Sequence, residues 1–181
     1  MKRVLIIGSP GAGKSTLARK LEKKTHMPLV YLDLIWHKPD GSHISREEFD
    51  QKLSEILNQD AWTIDGNYSR TLKMRIDACD TVIYLDYPTD LCLRSIHERI
   101  GRDRIDLPWT EKKLDPEFEA YVRKFEKEKA PEIRKALRYA KTHQKNVIEF
   151  QNRAQADQWL ESLPDRNQND QKLPVSEEQK K

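Results

Sequence analysis

Cysteine is almost absent from this chain of 181 residues, and the two that occur, Cys79 and Cys92, have no second cysteine or histidine at ligand spacing. A disulfide framework and a zinc site of the usual spacing are thereby excluded, and both thiols are expected to be reduced and partly buried. Long hydrophobic runs are missing too. No stretch approaches the roughly 18 to 20 apolar residues that span a bilayer, and the first apolar run is too short for a signal peptide, so no membrane partner is expected and the location is expected to be cytoplasmic. An excess of one charge is also lacking: the formal net charge is +3, with acidic and basic residues interspersed, which argues against direct nucleic-acid binding. There is no internal repeat, and no Asn-Lys-x-Asp stretch of the kind that reads guanine. Residues 164–181 are polar with no periodic face to bury, and are expected to form a disordered tail.

What is present begins at Gly8-Ser9-Pro10-Gly11-Ala12-Gly13-Lys14-Ser15. This stretch follows the apolar run Val4–Ile7 and opens into Thr16-Leu17-Ala18-Arg19-Lys20-Leu21, so it stands between a strand signal and a helix signal. Glycines let a backbone curl round an anion, and successive N–H groups and the positive end of the new helix point to the same place. That place suits the phosphates of ATP, with Gly8, Pro10, Gly11, Ala12, Gly13, Lys14, Ser15 and Thr16 as the binding loop. Lys14 is positioned to reach the β- and γ-phosphates, and Ser15 to ligate Mg²⁺.

Four further strand signals follow, at 29–32, 61–64, 81–85 and 146–150, alternating with helical periodicity. An α/β fold with a five-stranded parallel sheet and helices on both faces is the expected architecture, as one domain over 1–163. Ligands in such sheets collect beyond the carboxyl ends of the strands. Asp33, after the second strand, is therefore placed either to hold an acceptor or to cap the next turn. Trp36 and His37 either stack on a base or pack. The third strand delivers Asp65, Gly66, Asn67, Tyr68, Ser69 and Arg70 to the same edge. Asp65 is a candidate Mg²⁺ residue, directly or through water; Asp86, after the fourth strand, competes, and Gly66 favours Asp65 by permitting close approach to a ligand. Ser45 with Glu48, Asp115 with Pro116, and Asn152 with Gln155 read as helix starts.

The helix from about Thr89 runs into Arg94, Arg99, Arg102 and Arg104. Cations there either complement the helix dipole or belong to a short lid, about 99–114, that brings positive charge to a transferring phosphoryl group. Arg99 and Arg102 are the lid candidates for catalysis.

Together, the phosphate loop, Thr63-Ile64-Asp65-Gly66, Tyr84-Leu85-Asp86-Tyr87-Pro88 and the arginine-bearing helix resemble the P-loop kinases related to adenylate kinase. Leu32-Asp33 with Trp36, and Asp65-Gly66-Asn67-Tyr68, are similar also to the small bacterial proteins named DNA topology modulation proteins, over most of 1–163. The resemblance implies a P-loop NTPase three-layer sandwich, nucleoside monophosphate kinase-like, with a short arginine-bearing lid. It implies ATP- and Mg²⁺-dependent transfer to a small acceptor, a nucleotide or nucleoside, with Lys14, Asp33, Arg99 and Arg102 catalytic, Asp33, Trp36, Asp65, Gly66, Tyr68 and Arg70 at the acceptor, and Ser15 and Asp65 at the metal. The alternative is an ATP-binding regulator of DNA topology or gene expression with no small acceptor. The adenylate kinase pattern Asp-Gly-Phe-Pro-Arg is altered here, with the arginine one residue further on and no proline. Nothing in the sequence speaks to base preference or oligomeric state.

Overall fold

In the computed structural model, which describes residues 1–165, five parallel strands form one sheet. They are β1 (Arg3–Gly8), β2 (Leu29–Tyr31), β3 (Trp62–Asp65), β4 (Thr81–Leu85) and β5 (Asn146–Phe150), in the order β2-β3-β1-β4-β5. Parallel neighbours need crossovers, and helices supply them: α1 (Lys14–Thr25), α2 (Leu32–Trp36), α3 (Arg46–Leu57), α4 (Ser69–Ala78), α5 (Thr89–Glu98), α6 (Pro116–Glu128), α7 (Ala130–Thr142) and α8 (Arg153–Ser162). The expected tail from residue 166 onward lies outside the described residues.

The central strands bury both faces, which is why they read as unbroken apolar runs. Along β1, Leu5 and Ile7 join Trp62, Ile64, Val82 and Tyr84 in one core with Phe49, Leu53, Ile76 and Leu137. Val4 and Ile6 face the other way, against Leu17, Leu21, Ile83, Cys92 and Ile96. The helix starts follow from local chemistry. Ser45 accepts from the Glu48 N–H, Asp115 from the Glu117 N–H, and Asn152 from the Gln155 N–H, each satisfying a donor that has no partner within its helix.

One local expectation is corrected: the second strand stops at Tyr31, and Leu32 and Asp33 belong to α2, because Leu32 turns fully into the core. After α2, His37 bridges His43 across a turn closed by Gly41 N–H donating to Lys38 C=O. A helix at Ser69–Ala78 was not expected from the sequence, since Thr71 and Arg75 stand on its buried face beside Leu72 and Ile76 and hide the apolar stripe. Among the described residues no helix is long and apolar enough to cross a membrane.

Parallel register fixes the site. Asp65 aligns with Ile6 on one side and Tyr31 on the other, so the ends of β1, β2 and β3 lie level, beneath one cleft.

Candidate active site

The cleft has a volume of about 1180 Å³, and its wall includes Lys14, Ser15, Asp33, Asp65, Tyr68 and Arg99. Its floor is the loop from Gly8 to Thr16. Gly11 and Gly13 take left-handed φ of +83° and +92°, and no side chain caps α1, whose first turn carries no acidic residue. The free N–H groups of that turn are aimed at the cleft, as an anion requires. Lys14 folds back over the loop, Nζ donating to Ser9 C=O at 3.2 Å. Burial lowers its pKa, with Asp65 and Asp33 working the other way. It has no ion pair among the described residues, so a phosphate would supply the partner that this shielded ammonium lacks.

Ser15 Oγ lies 2.6 Å from Asp65 Oδ2 and 2.6 Å from Asp106 Oδ2. One hydroxyl has a single proton to donate, so two acceptors converge on one donor. That set of oxygens is the chemistry a hard divalent cation takes, and Asp65 Oδ1 is buried with no hydrogen-bond partner. Burial lifts the Asp65 carboxyl to about 6 against the pull of Lys14 and the Ser15 hydroxyl. Burial also works to raise Asp106, but hydrogen bonds from Arg104 and Ser15 prevail and hold it at about 2. The residues present therefore fit a divalent cation such as Mg²⁺, which Ser15 and Asp65 would hold. Among the described residues no cluster of three or more His, Cys, Asp or Glu forms a cage by itself. Asp86, the competitor, is 3.3 Å from Arg134 and does not line the cleft.

Asp33 faces the loop from α2, its Oδ1 accepting from the Tyr68 hydroxyl at 2.8 Å. Burial and this neighbouring carboxylate raise the Tyr68 pKa, so the phenol stays a donor. Of the other residues expected at the acceptor, Gly66 and Tyr68 line the cleft. Trp36 and Arg70 do not. Trp36 stacks on His43 at 4.5 Å and sits edge-on to Phe49 and Tyr68, in a cluster behind Asp33. Arg70 points outward from α4 and forms a two-pronged ion pair with Asp50, at 2.7 and 2.6 Å. Instead His37, with Trp109 edge-on at 5.0 Å, closes that end of the cleft.

Segment 99–114 arches over the cleft, pinned at its base by Gly101 N–H donating to Glu111 C=O at 2.8 Å. Arg104 grips Asp106 with two nitrogens, at 3.0 and 2.6 Å, and reaches Glu111 at 2.8 Å. Arg99 lies 3.3 Å from the same Glu111, and burial lowers its pKa. Arg102 lines the cleft and has no ion-pair partner among the described residues. Asp106 was not among the residues expected at the site, and no local pattern marks it: 91 positions separate it from Ser15.

No protein-family model and no curated protein matches the sequence. Solved structures do. The shikimate kinase of Acinetobacter baumannii, solved in complex with shikimate, superposes with a TM-score of 0.60 at 17% identity over 89% of each chain. The chain has the fold of the P-loop kinases. The shikimate kinase of Bacteroides thetaiotaomicron matches at 0.55 and 17% identity, covering 88% of this chain and 94% of that one. That of Aquifex aeolicus matches at 0.52 and 18%, covering 88% and 92%. The P-loop kinase scaffold thus places the carboxyl ends of β1 to β3, and everything they carry, around one cleft.

Proposed function

We propose that the protein transfers the terminal phosphoryl group of ATP to a hydroxyl or phosphate oxygen of a small acceptor bound against Asp33, with a nucleoside or nucleotide as the first acceptor class and hydroxylated acids of the shikimate kind as the second. The observation that carries this reading is that an anion-ready loop with an unpaired lysine, a hydroxyl–carboxylate pair suited to a divalent cation, and a carboxylate held by a phenol share one cleft. In the step itself the acceptor oxygen bonds to the γ-phosphorus, the bond to the β–γ bridging oxygen breaks and ADP leaves; the proton of a hydroxyl acceptor passes to Asp33, and an ionised phosphate acceptor has none to give. Lys14 and the loop N–H groups neutralise the phosphate oxygens, while Arg102, with Arg99 once freed from Glu111, adds positive charge from the lid formed by 99–114. Such chemistry is mostly positioning and charge neutralisation, which these residue types supply. A Mg²⁺ ion held by Ser15 and Asp65 would screen the β- and γ-phosphate charge.

The test is ATP consumption with Mg²⁺ against a panel of nucleosides, nucleoside monophosphates, deoxynucleotides and hydroxylated acids, with Lys14→Ala as the blank. Stimulation by one acceptor, lost in Lys14→Ala while the circular dichroism spectrum is kept, is the expected result. Tight ATP binding with no stimulation by any acceptor overturns the reading in favour of an ATP-occupied regulator.

A further inference from the structure

The turn between β3 and α4 is fastened to both halves of the cleft. On the donor side, Asn67 Nδ2 donates to Gly8 C=O at 2.8 Å and Asn67 Oδ1 accepts the Gly8 N–H at 3.1 Å. The side-chain amide thus pairs with the backbone at the point where β1 becomes the phosphate loop, as a neighbouring strand's peptide would. On the acceptor side, Tyr68 holds Asp33 through its hydroxyl, from a left-handed backbone of φ 34° that non-glycine residues rarely adopt. Beneath the turn lies Arg75. Its guanidinium donates to Gly66 C=O at 2.7 Å, to Tyr68 C=O at 2.9 Å, and to Asn67 C=O between them. Arg75 is fully buried, and its hydrogen bonds among the described residues go to these carbonyls, not to a carboxylate. A buried cation without an anion is costly, and the Gly66 and Asn67 carbonyls would be costly without donors. The two terminal nitrogens of Arg75 meet that need, although its Nε is left without a partner; Tyr68 C=O accepts the Thr71 N–H as well, and the turn is held at three successive residues.

We propose, on the kinase reading above, that Asn67 and Arg75 are positioning residues: they form a strut that sets the placement of Asp33, through Tyr68, relative to the phosphate loop, through Gly8. Phosphoryl transfer depends on that placement, because a shift of about 1 Å between acceptor and donor costs on the order of 10²-fold in rate. Arg75 does not line the cleft, and Asn67, which does, has its side-chain amide engaged by Gly8. Both act through the turn.

Asn67→Ala is expected to lower kcat by roughly 10- to 100-fold while KM for ATP and for the acceptor change by less than about threefold, since the loop and the acceptor wall persist but lose registration. Asn67→Asp separates this from space filling. It has nearly the same shape and still accepts the Gly8 N–H, but it sets an anionic oxygen against Gly8 C=O, so it should fall at least as far. Combining Asn67→Ala with Tyr68→Phe should cost less than the product of the two single effects, as for groups acting in one unit. Arg75→Lys retains the charge but not the fork, and should resemble Asn67→Ala where its urea midpoint shows a folded protein. Recovery of wild-type kcat in Asn67→Asp, or a rise in both KM values at unchanged kcat, overturns the strut. A second readout does not need turnover. In amide NMR spectra of Asn67→Ala, shifts should reach Asp33 and the loop around Gly8; shifts confined to 66–68 overturn the strut. Absence of transfer by the wild type overturns only the kinase reading.

Discussion

Adding one methyl group at two positions of the same loop should have two different consequences. At Gly11 a Cβ would stand 2.2 Å from the Cys92 carbonyl oxygen and 2.9 Å from its carbon, with Ile96 Cγ2 at 3.0 Å. The two atoms touched first are backbone of α5, so relief requires the loop and the helix to separate by about an ångström. At Gly13 a Cβ would find nothing within 4 Å. Both positions have left-handed φ, at a cost of about 1–2 kcal/mol for alanine. Gly11→Ala adds overpacking of about 1–3 kcal/mol. The expected losses are therefore about 1–2 kcal/mol for Gly13→Ala and about 2–5 for Gly11→Ala; at about 2–4 °C per kcal/mol for a domain of this size, the second variant should melt clearly lower. Urea titrations followed by circular dichroism give both values, and equal slopes would show that only stability has changed. Gly13→Ala should nevertheless be the variant that no longer gains stability from added ATP at otherwise sufficient excess, because its methyl group projects into the open cleft at the start of α1. Equal stabilities, or a Gly13→Ala protein less stable than Gly11→Ala, would refute the packing of the loop on α5.

Arg102→Ala should lower kcat by about 10²- to 10³-fold with ATP affinity little changed, measured by steady-state kinetics and calorimetry; full activity would remove Arg102 from the transfer step. Arg70→Ala should leave turnover unaltered and stability within about 1 kcal/mol, because its pair with Asp50 is solvent-exposed, and a large loss of activity would return it to the acceptor site. Asp80 accepts N–H bonds from Lys2 and Arg3, at 2.6 and 2.8 Å, and the hydroxyl of Thr81. Burial works to raise its pKa, yet these bonds hold it below the usual carboxylate value. A depressed folded pKa gives stability that is present above the unfolded value and lost as pH falls, so the urea midpoint should decline below about pH 4 and Asp80→Asn should flatten that decline. Burial raises both thiols, Cys79 to about 11, so neither should react with a disulfide reagent at neutral pH until the protein unfolds.

The strands were legible because each is a short apolar run ended by a polar or turn residue, and the helices beginning at Arg46, Pro116 and Arg153 because Ser45, Asp115 and Asn152 announce them. The loop after β1 was legible for a different reason: its left-handed turns at Gly11 and Gly13 favour glycine at those positions. Helix α4 was not, since Arg75 reads as a solvent residue and becomes a core residue only when a turn folds its carbonyls inward. Trp36 and Arg70 have the residue types of a binding site, and only packing decides that one faces Phe49 and the other Asp50. Asp106 depends on a chain path through irregular structure, which periodicity does not describe.

The ends of 99–114 meet at the Gly101–Glu111 hydrogen bond, and the segment spans the cleft without contributing a strand to the sheet. It is therefore a cassette. It meets the hydrophobic layers at Leu114, and it touches the far side of the cleft through Asp106 on Ser15 and Trp109 on His37. Exchange of residues 107–110 for a loop of another length, which leaves Arg102, Arg104 and Asp106 in place, is the place where a designer seeking a new acceptor would begin.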